Sequence, residues 1–568
     1  MIEFKNEEKL KNEINRIKTI TNIISLGSII LALNVIVWAI CFITLDNALL
    51  YGIVFGVSFL VFVIYLFSTY KFYKELAHKN NLKKVYLSHN LRRNKEYSKF
   101  FDTGSDLIEK EDYKDSDLDL FGKNSLFQYL SIAKTKYGRL KLKDALTTTN
   151  KKDKDYTDTI YKMANDENIL NVEATLSQFK NESKTLDYDT MYTIFENKIK
   201  FKPIFILPLL SFIGTIVYLI LVLSLGFNPY YLFIFGIANF ILCKLCLIND
   251  VFGVDSTKYF NLIESYYDLS NEIINLNIDT KYITNLKEES LKSKIHIKKL
   301  KSTLNILSTR KNILFNIISN VLFSFDFFVI LLFNKKTQSI TNLKDYFNLV
   351  GELECMMSLA NIGMDNEIYC IPTLGETKGV DMYHPLIKNC IPNTFNLSSG
   401  VILTGSNMSG KTTFMRTLGI CQTLFNACGL VPAKSFSSNY LDIYTSLRAN
   451  DMLQEGISTF YAEILRMKKI NNAIKDNKCL ILIDEIFKGT NAKDRITASL
   501  KVIEKLNNNN QLFIITTHDF ELCEAEGILN YHFNEEYNDD KISFDYQIKP
   551  GKCETKNAIY LLKMADII

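Results

Sequence analysis

Three short stretches near the carboxyl end of the chain carry residue types that could bind and hydrolyse a nucleoside triphosphate. The first runs from Gly405 to Thr412 and fits the pattern G-x-x-x-x-G-K-[ST], between the β-rich run VILT and a predicted helix. In that setting the backbone N–H groups of the loop and the positive end of the helix bind phosphates. Lys411 would supply a positive charge for the β- and γ-phosphates, and Thr412 a hydroxyl ligand for Mg²⁺. The predicted nucleotide-binding residues are Gly405, Asn407, Met408, Ser409, Gly410, Lys411, Thr412 and Thr413.

The other two stretches, LILIDE and LFIITTHD, each follow apolar residues with groups suited to acid–base chemistry. The first predicts a buried strand with Asp484 and Glu485 at its carboxyl end, where α/β folds bind their ligands. Asp484 could then join the Mg²⁺ shell, and Glu485 could polarise the attacking water. His518 follows the second run and could contact the γ-phosphate or that water. Without a phosphate loop, the simpler interpretation would be two surface acids after a strand and a structural histidine. Because the predicted phosphate loop lies nearby, Glu485 and His518 are the predicted catalytic residues.

The spacing of apolar residues divides the 568-residue chain into a helical part and an α/β part. Residues 120–200 and 251–350 contain few Gly or Pro and show helical periodicity, whereas from about residue 351 short β-rich runs alternate with helical segments. This order predicts an all-α region followed by an α/β P-loop NTPase domain with a doubly wound sheet. The acidic segment 101–119 is predicted to be an exposed linker. The net charge of +4 does not indicate a strongly basic nucleic-acid binder, although a local basic face is compatible with it.

Two pairs of apolar runs are predicted to form transmembrane helical hairpins. The runs 23–43 and 48–67 contain no charged residue, and the runs 203–225 and 230–248 repeat the arrangement across the short sequence GFNP. Each run is about as long as a bilayer-spanning helix requires. Lys and Arg flank the hairpins but are missing from both tips, which predicts an integral membrane protein with its soluble parts on the cytoplasmic side. Buried core helices are the alternative interpretation.

A fifth apolar run, residues 312–334, is predicted to be a buried helix of the soluble part. Asp326 lies near its centre, and Asn312, Asn316 and Asn320 recur every four residues. Such polar groups are costly in lipid. A fifth crossing would also place the following domain on the far side of the membrane, away from ATP.

The basic segment 71–99, which includes Arg92 and Arg93, has two interpretations. It could contact DNA or anionic lipid. The simpler interpretation is an ordinary flank of a membrane hairpin, because positive residues accumulate on the cytoplasmic side of such helices.

The order of the motifs from residue 351 onward resembles the ATPase domain of the MutS family of DNA mismatch-repair proteins. The matching stretches are GELECMMSLA (351–360), HPLI (384–387), IPNTFNLSSG (391–400), TGSNMSGKTTFMR (404–416), GLVPA (429–433), GISTFYAEI (456–464), LILIDEIFKGTNAKD (480–494), ITTHDFEL (515–522) and NYHF (530–533). A weaker match, residues 117–146, is similar to the start of the family's helical core. An ordered series of this kind is more specific than a phosphate loop alone.

The resemblance implies an ATPase that works as a homodimer with composite nucleotide sites and uses ATP and Mg²⁺. Ser458, together with Thr459, would face the nucleotide of the partner subunit, and Asn407 would help to sense the γ-phosphate. Gly489 and Thr490 would lie at the dimer contact. DNA is a further partner that the family suggests.

The chain also departs from the family pattern. It carries apolar hairpins where mismatch-repair members have a mismatch-reading domain with a Phe-x-Glu wedge. Cys390 stands near the position of an adenine-stacking aromatic residue, and Phe487-Lys488 replaces Gly-Arg after the acidic pair. The resemblance is therefore to a membrane-anchored subgroup that shares the helical core and the ATPase but lacks the mismatch reader.

The sequence as a whole predicts a membrane-anchored ATPase of this kind, whose dimer closes on ATP and reopens on hydrolysis. An ABC-type transporter subunit is one alternative, although no LSGGQ stretch occurs in the sequence. A non-catalytic membrane tether clamped by ATP is another. The predicted domains are an N-terminal segment with the first hairpin (1–80), a linker with the start of the helical core (81–200), the second hairpin (201–250), the helical core or lever (251–350) and the ATPase domain (351–568).

Overall fold

Helices form the amino-terminal part of the chain, and a mixed α/β domain follows them, as predicted. The computed structural model describes residues 7–44, 48–108, 113–149, 151–179, 206–228, 230–247, 256–309, 313–336, 343–406, 408–447, 459–475, 477–488, 490–538 and 541–553. The helices are α1 (Glu7–Thr44), α2 (Ala48–Arg93), α3 (Tyr113–Asp117), α4 (Leu126–Leu130), α5 (Lys136–Thr147), α6 (Lys154–Ala164), α7 (Ile169–Leu176), α8 (Ile206–Leu225), α9 (Tyr230–Leu247), α10 (Ser256–Ile274), α11 (Lys281–Thr309), α12 (Ile313–Phe323), α13 (Phe325–Lys336), α14 (Lys344–Asp365), α15 (Lys411–Asn426), α16 (Thr459–Ala473) and α17 (Ala492–Asn508).

The α/β domain contains two sheets built from short strands. The strands are β1 (Thr373–Leu374), β2 (Thr377–Met382), β3 (Asn393–Leu397), β4 (Val401–Thr404), β5 (Ser435–Ser438), β6 (Asp442–Ser446), β7 (Cys479–Asp484), β8 (Leu512–Thr516), β9 (Leu529–Asn538) and β10 (Lys541–Pro550). The larger sheet has the order β10-β9-β4-β8-β7-β6, and the smaller has the order β1-β5-β2-β3.

The centre of the larger sheet is parallel and apolar. Strands β4, β7 and β8 run parallel to one another and are buried at nearly every position. Strands buried in this way consist of continuous Val, Ile and Leu rather than an alternating pattern, which is what the runs VILT, CLILID and LFIIT show. Because parallel strands end at the same edge of a sheet, the segments that follow β4, β7 and β8 meet there.

Helices α1 and α2 form the first hairpin. Glu13 pairs with Lys79, Gly27 packs against Tyr65 and Trp38 stacks on Tyr51, so the two helices run antiparallel. Over the windows Glu8–Trp38 and Ile53–Arg93 both helices are long and apolar enough to cross a membrane, by length and composition alone. Within the most apolar window of each helix only 6% of the residues are buried, so the apolar side chains point outward.

Helix α2 continues without a break from the apolar hairpin into the helical core. Arg92, near its end, is buried and donates from Nε to the carbonyl oxygen of Tyr129 at 2.8 Å. Arg93 donates to the carbonyl oxygen of Met364 at 3.0 Å. These two arginines therefore bond within the helical core, whereas the sequence analysis interpreted them as an ordinary flank of a membrane hairpin or, less simply, as a contact for DNA or anionic lipid.

Helices α8 and α9 form the second hairpin, and the predicted residues 203–205 and 248 lie outside the described residues. Their apolar stretches, Ile206–Val222 and Tyr230–Leu245, are shorter than those of the first hairpin. The hairpin has a polar interior, because Ser211 Oγ donates to Asn239 Oδ1 at 2.6 Å and Asn239 Nδ2 donates to Thr215 Oγ1 at 3.0 Å.

The prediction of one continuous helix over 312–334 is wrong. The run forms α12 and α13, which meet at Ser324, where φ is +45°. Asn320 Oδ1 accepts the backbone N–H of Asp326 at 2.9 Å. The asparagine side chain therefore provides a hydrogen-bond acceptor for one of the free N–H groups at the start of α13. Asp326 is buried as predicted, but Leu322 and Phe323 are 51% and 56% exposed.

Helix α12 packs against the second hairpin rather than into the soluble core. Asn239 Nδ2 donates to the carbonyl oxygen of Val321 at 3.3 Å, and Lys244 Nζ donates to Asn316 Oδ1 at 2.8 Å. Asn316, one of the asparagines that argued against a lipid environment, thus contacts a polar group of the second hairpin, whereas Asn320 bonds to Asn316 and to the backbone N–H of Asp326.

The prediction of an exposed linker over 101–119 is wrong for its second half. Asp117, in α3, is fully buried, accepts the backbone N–H of Leu447 at 3.0 Å and pairs with Arg466 at 3.6 Å. Leu118 is also buried. An acidic composition indicates exposure only where no cation from a distant part of the chain neutralises it.

Helix α14 joins the helical core to the α/β domain and is buried over most of its length. Its Glu354 accepts the backbone N–H groups of Lys134 and Thr135 at 2.7 and 3.2 Å. Gly138 in α5 lies against Glu354, and a larger residue there would collide with the carboxylate. Burial raises the pKa of Glu354 to about 7.

Candidate functional site

Two glycines with positive φ shape the loop between β4 and α15. Gly405 and Gly410 have φ of +143° and +106°, which residues with a side chain rarely adopt. A Cβ at Gly405 would lie 3.0 Å from the carbonyl oxygen of Phe533 on β9. The two glycines therefore allow the chain to turn tightly from the strand into the helix.

Lys411 lies inside this loop. Its Nζ donates to the carbonyl oxygens of Gly405 and Ser406, each at 2.8 Å, and only 6% of the residue is exposed. Burial lowers the pKa of this lysine. Ser409 Oγ donates to the carbonyl oxygen of Ser406 at 2.9 Å, while Ser406 Oγ is buried and has no hydrogen-bond partner among the residues that the structure describes. A buried lysine and an unpaired hydroxyl beside the loop fit a phosphate group.

Thr412 and Asp484 meet at the start of α15. Thr412 Oγ1 donates to Asp484 Oδ2 at 2.8 Å, and Thr516 Oγ1 donates to the other carboxylate oxygen. The register of the sheet explains the second contact, because Asp484 on β7 is paired with Thr516 on β8. Hydroxyl and carboxylate oxygens are the ligands that Mg²⁺ prefers, so the predicted metal residues fit this ion.

Glu485 and His518, which are 33 positions apart in the sequence, are brought together by the same pair of strands. His518 Nε2 lies 3.2 Å from Glu485 Oε1, and Lys488 Nζ lies 3.5 Å from Glu485 Oε2. The hydrogen bond with His518 and the positive charge of Lys488 lower the pKa of Glu485 to about 2, against the effect of burial. The carboxylate is therefore ionised at neutral pH and can accept a proton or a hydrogen bond from water.

The backbone at Glu485 is held in an uncommon conformation. Its φ is +53°, and its N–H donates to Thr516 Oγ1 at 3.0 Å. Arg495 holds Asp519, the neighbour of His518, through two hydrogen bonds of 2.7 Å. Strained backbone of this kind costs energy and is found mostly at functional sites. Sequence reasoning missed both Thr516 and Arg495, because neither belongs to a recognisable motif.

A pocket of about 500 Å³ lies in front of the loop. Its wall includes Lys411, Thr412, Thr413, Asp484 and Glu485. It also includes Met408, which is 86% exposed, and Gly410. The volume falls in the range of small-molecule sites. The structure thus brings the predicted phosphate, metal and water-activating residues to one cavity.

Cys390 lines this pocket, and Tyr546 supplies an aromatic side chain to the same wall. Tyr546 lies at a bulge of β10 with φ of +53°, and Asn393 Nδ2 donates to its carbonyl oxygen at 2.9 Å. Tyr546 was not identified from the sequence, because one tyrosine among 30 carries no local signal. Only the bulge turns it toward the pocket.

Some predicted residues lie outside the described residues. These are Asn407, Ser458 and Gly489, so their predicted roles stay predictions. Lys488, which departs from the family pattern, lies close enough to Glu485 to form an ion pair with its carboxylate.

Comparison with known proteins agrees with the motifs. Residues 401–567 match the family described as MutS domain V. The chain is 30% identical over 257 residues to the DNA mismatch repair protein MutS of Clostridium kluyveri, covering 41% of this chain and 29% of that protein. The protein of the same name from Leptospira interrogans is 30% identical over 259 residues (41% and 30%), and that of Aquifex pyrophilus is 31% identical over 238 residues (39% and 27%). The chain therefore spans less than a third of the length of these relatives.

Proposed function

Because this chain is a member of the MutS family, we propose that it is a membrane-anchored ATPase that binds ATP with Mg²⁺ and hydrolyses it as a dimer. The observation that supports this most strongly is the position of Glu485. Its carboxylate is ionised, contacts His518 and faces a pocket that also contains Lys411 and Asp484. A structural ion pair would not require all three groups at one cavity.

Each residue of the site has a separate role in the proposed hydrolysis. Lys411 moves its charge from the loop carbonyls to the phosphates, and the hydroxyl of Ser406 donates to a phosphate oxygen. Thr412 and Asp484 would hold Mg²⁺, which would neutralise charge on the phosphates. Glu485 orients the attacking water as a hydrogen-bond acceptor, and His518 keeps the carboxylate in place.

Dimerisation completes the site in this proposal. The pocket is open toward solvent at Met408, which is 86% exposed, and His518, which contacts Glu485 beside it, is 45% exposed. By resemblance to the family, Ser458 of a second copy would approach the nucleotide there. ATP would close the two copies on each other and hydrolysis would release them.

Membrane anchorage rests on the first hairpin. Its helices are long and apolar, and their side chains face outward over the apolar windows. The second hairpin and the α12–α13 pair would add a smaller apolar body beside it. We place the helical core and the ATPase domain on the cytoplasmic side, because Lys and Arg flank the hairpins there.

Turnover measurements on the full chain in detergent test the catalytic part of the proposal. We expect Mg²⁺-dependent phosphate release, and dimers that persist with ATP in the variant Glu485→Gln. A monomer at every nucleotide condition, or phosphate release that survives Lys411→Ala, would contradict it.

Membrane attachment and DNA binding need separate measurements. The chain should remain in the membrane pellet after alkaline carbonate extraction. DNA binding should be measured for homoduplex, mismatched and branched DNA over a salt series, with and without ATP. Failure to bind any of them would restrict the function to an ATPase without a DNA substrate.

A further inference from the structure

Along the α12–α13 pair, residues 313–336, polar side chains are buried and several apolar side chains are exposed. Asn320, Ser324 and Asp326 are at most 1% exposed, whereas Leu322 and Phe323 are 51% and 56% exposed. Other exposed apolar side chains of the pair are those of Ile317, Phe328, Leu331 and Leu332. A helix at the surface of a water-soluble domain shows the opposite pattern, whereas polar groups inside a bilayer face the protein interior. The surface of the pair therefore fits lipid better than water.

The break between the two helices is closed by hydrogen bonds. Ser324 is fully buried, its N–H donates to the carbonyl oxygen of Asn320 at 3.2 Å, and its carbonyl oxygen accepts the N–H of Phe327 at 3.0 Å. Asn320 Oδ1 accepts the N–H of Asp326, and Ser324 Oγ donates to the carbonyl oxygen of Pro208 in α8 at 3.5 Å. Irregular backbone is tolerated at membrane depth only where protein buries it and satisfies its polar groups. The break at Ser324 meets that condition.

Contacts with the second hairpin show how far α12 extends along it. Lys244, near the end of α9, donates to Asn316 at 2.8 Å. Five residues further along α12, the carbonyl oxygen of Val321 accepts from Asn239, and the side chain of Val321 lies against Gly236. Helix α12 therefore runs antiparallel to α9, from the end of α9 that is proposed to be cytoplasmic as far as its middle.

Neither helix of the pair is long enough to cross a bilayer. Helix α12 has 11 residues and α13 has 12. At 1.5 Å per residue they measure about 17 and 18 Å, against a hydrocarbon thickness of about 30 Å. Phe328 in α13 packs against Phe212 in the second turn of α8, with ring centroids 5.4 Å apart. The pair therefore lies beside the cytoplasmic half of the second hairpin.

The helices before and after the pair belong to the same soluble core. Before it, Lys301 in α11 pairs with Glu264 in α10 at 2.8 Å, and Glu264 also accepts from Tyr70, just beyond the apolar run of α2. After it, Tyr346 in α14 is buried and forms a hydrogen bond of 2.7 Å with Ser270 in α10. The chain therefore leaves the core before α12 and rejoins it after α13, on one side of the proposed membrane.

We propose that α12 and α13 form a re-entrant membrane element, which enters the cytoplasmic leaflet beside the second hairpin and returns to the same side. Leu322 and Phe323, next to the break, would lie deepest, among the lipid acyl chains near the bilayer centre. The inference rests on the proposed membrane anchorage, which places the second hairpin in the bilayer. It keeps the number of full crossings even, so the α/β domain stays on the cytoplasmic side although a fifth apolar run enters the lipid.

Quenching of a tryptophan by brominated lipids tests the proposal on the full chain in phosphatidylcholine vesicles. The chain contains one tryptophan, Trp38, so Phe323→Trp in a Trp38→Phe background places a single reporter next to the break. We expect bromines deep in the acyl chains to reduce its emission, and to do so more than bromines close to the headgroup. Stronger quenching by the shallow bromines would overturn the insertion, because the pair would then lie on the membrane surface.

Two reference positions separate this inference from the proposed anchorage. Ile237→Trp, at an exposed position in the middle of α9, reports on the second hairpin, and Phe520→Trp, at an exposed position of the α/β domain, reports on the soluble part. Phe323→Trp should be quenched as strongly as Ile237→Trp. If Phe323→Trp instead matches an unquenched Phe520→Trp while Ile237→Trp is quenched, the anchorage stands and the re-entrant element is overturned. If Ile237→Trp is not quenched, the second hairpin is not in the bilayer, and both proposals fail there.

A charge next to the break provides a second test. Leu322→Asp, added to the Phe323→Trp reporter, should reduce the quenching by deep bromines, because a carboxylate is costly among acyl chains. Leu374→Asp adds the same charge at a 68% exposed position of β1 and should leave the quenching unchanged. Thermal unfolding should confirm that both variants fold. Equal quenching in the two variants would overturn the proposal.

Discussion

Two histidine–carboxylate clusters in this chain use the same chemistry in opposite surroundings. Beside the pocket in front of the β4–α15 loop, His518 lies 3.2 Å from Glu485, and the two side chains are 45% and 29% exposed. In the helical core, His89 lies 2.9 Å from Asp365 and 3.0 Å from Glu173, and its side chain is fully buried. The exposed cluster can admit water and substrate, whereas the buried cluster can only hold helices together.

The surroundings also decide how each group is charged. Burial alone would lower the pKa of His89, but the carboxylates of Asp365 and Glu173 raise it to about 9. The imidazole is therefore a cation at neutral pH, fixed between two anions. Because it joins α2, α7 and α14, the buried cluster connects the first hairpin to the helix that leads into the α/β domain. We therefore expect the exposed cluster to control turnover and the buried cluster to control stability.

The largest effect should come from Glu485→Gln. Without the carboxylate, the attacking water loses its acceptor, and phosphate release should fall by about 10²- to 10⁴-fold. Stability should change by less than about 1 kcal/mol, because the side chain is partly exposed. Phosphate release and thermal unfolding measure the two quantities, with the exposed Glu521→Gln as the control. Normal turnover in Glu485→Gln would remove this residue from the mechanism.

His89→Ala should give the reverse result. It leaves the buried carboxylate of Glu173 without the imidazole, while Asp365 keeps only Arg93, at 3.3 Å, and this should lower the free energy of unfolding by about 3–5 kcal/mol. Turnover per folded molecule should stay close to normal at a temperature where the variant is folded. Denaturant unfolding tests this, and His78→Ala on the same helix is the matched control, since His78 is only half-buried. A change below that of the control would show that the cluster does not hold the core.

Tyr546→Ala should have a smaller effect, and the effect should be on ATP binding at the pocket beside the exposed cluster. Loss of the aromatic face should weaken ATP binding by about 1–3 kcal/mol if the base stacks on it. Tyr546→Phe keeps the ring and should bind ATP normally. Equilibrium binding of a fluorescent ATP analogue measures both. Equal affinities in Tyr546→Ala and the parent chain would leave the base without an aromatic partner at this position.

The smallest expected effect is the pH dependence of the unfolding free energy that His89 contributes, because it changes gradually over several pH units. The pKa of His89 is about 9 in the folded state and about 6.5 ordinarily. Its stabilising contribution is therefore fully present below pH 6.5 and is lost as the pH rises through 9, at no more than about 1.4 kcal/mol per pH unit. The difference in unfolding free energy between the parent chain and His89→Phe should shrink over that range. A constant difference would show that His89 is not the titrating group.

Local patterns predicted the exposed cluster, but not the buried one. Glu485 and His518 each follow an apolar run beside a phosphate loop, so their positions at strand ends could be worked out from the sequence. His89 lies among ordinary helical residues, and its partners Asp365 and Glu173 are far away along the chain. No spacing rule connects three residues on three separate helices.

The two wrong predictions, for residues 312–334 and 101–119, also arise from contacts between distant parts of the chain. The run 312–334 has the composition of one helix, but it breaks at Ser324, and Asn316 accepts from Lys244 of the second hairpin. Asp117 has the composition of a linker, but Arg466 reaches it from the other end of the chain.

By itself the sequence determined the order of helical and α/β parts, the two apolar hairpins, the phosphate loop and the residues at the strand ends, because these depend on neighbours a few positions apart. Tertiary structure alone decided that Tyr546 faces the pocket, that Arg92 is buried and that His89 sits between two carboxylates. Those outcomes depend on which distant segments pack together, and the free energy of a buried charge is set by those neighbours rather than by the residue itself.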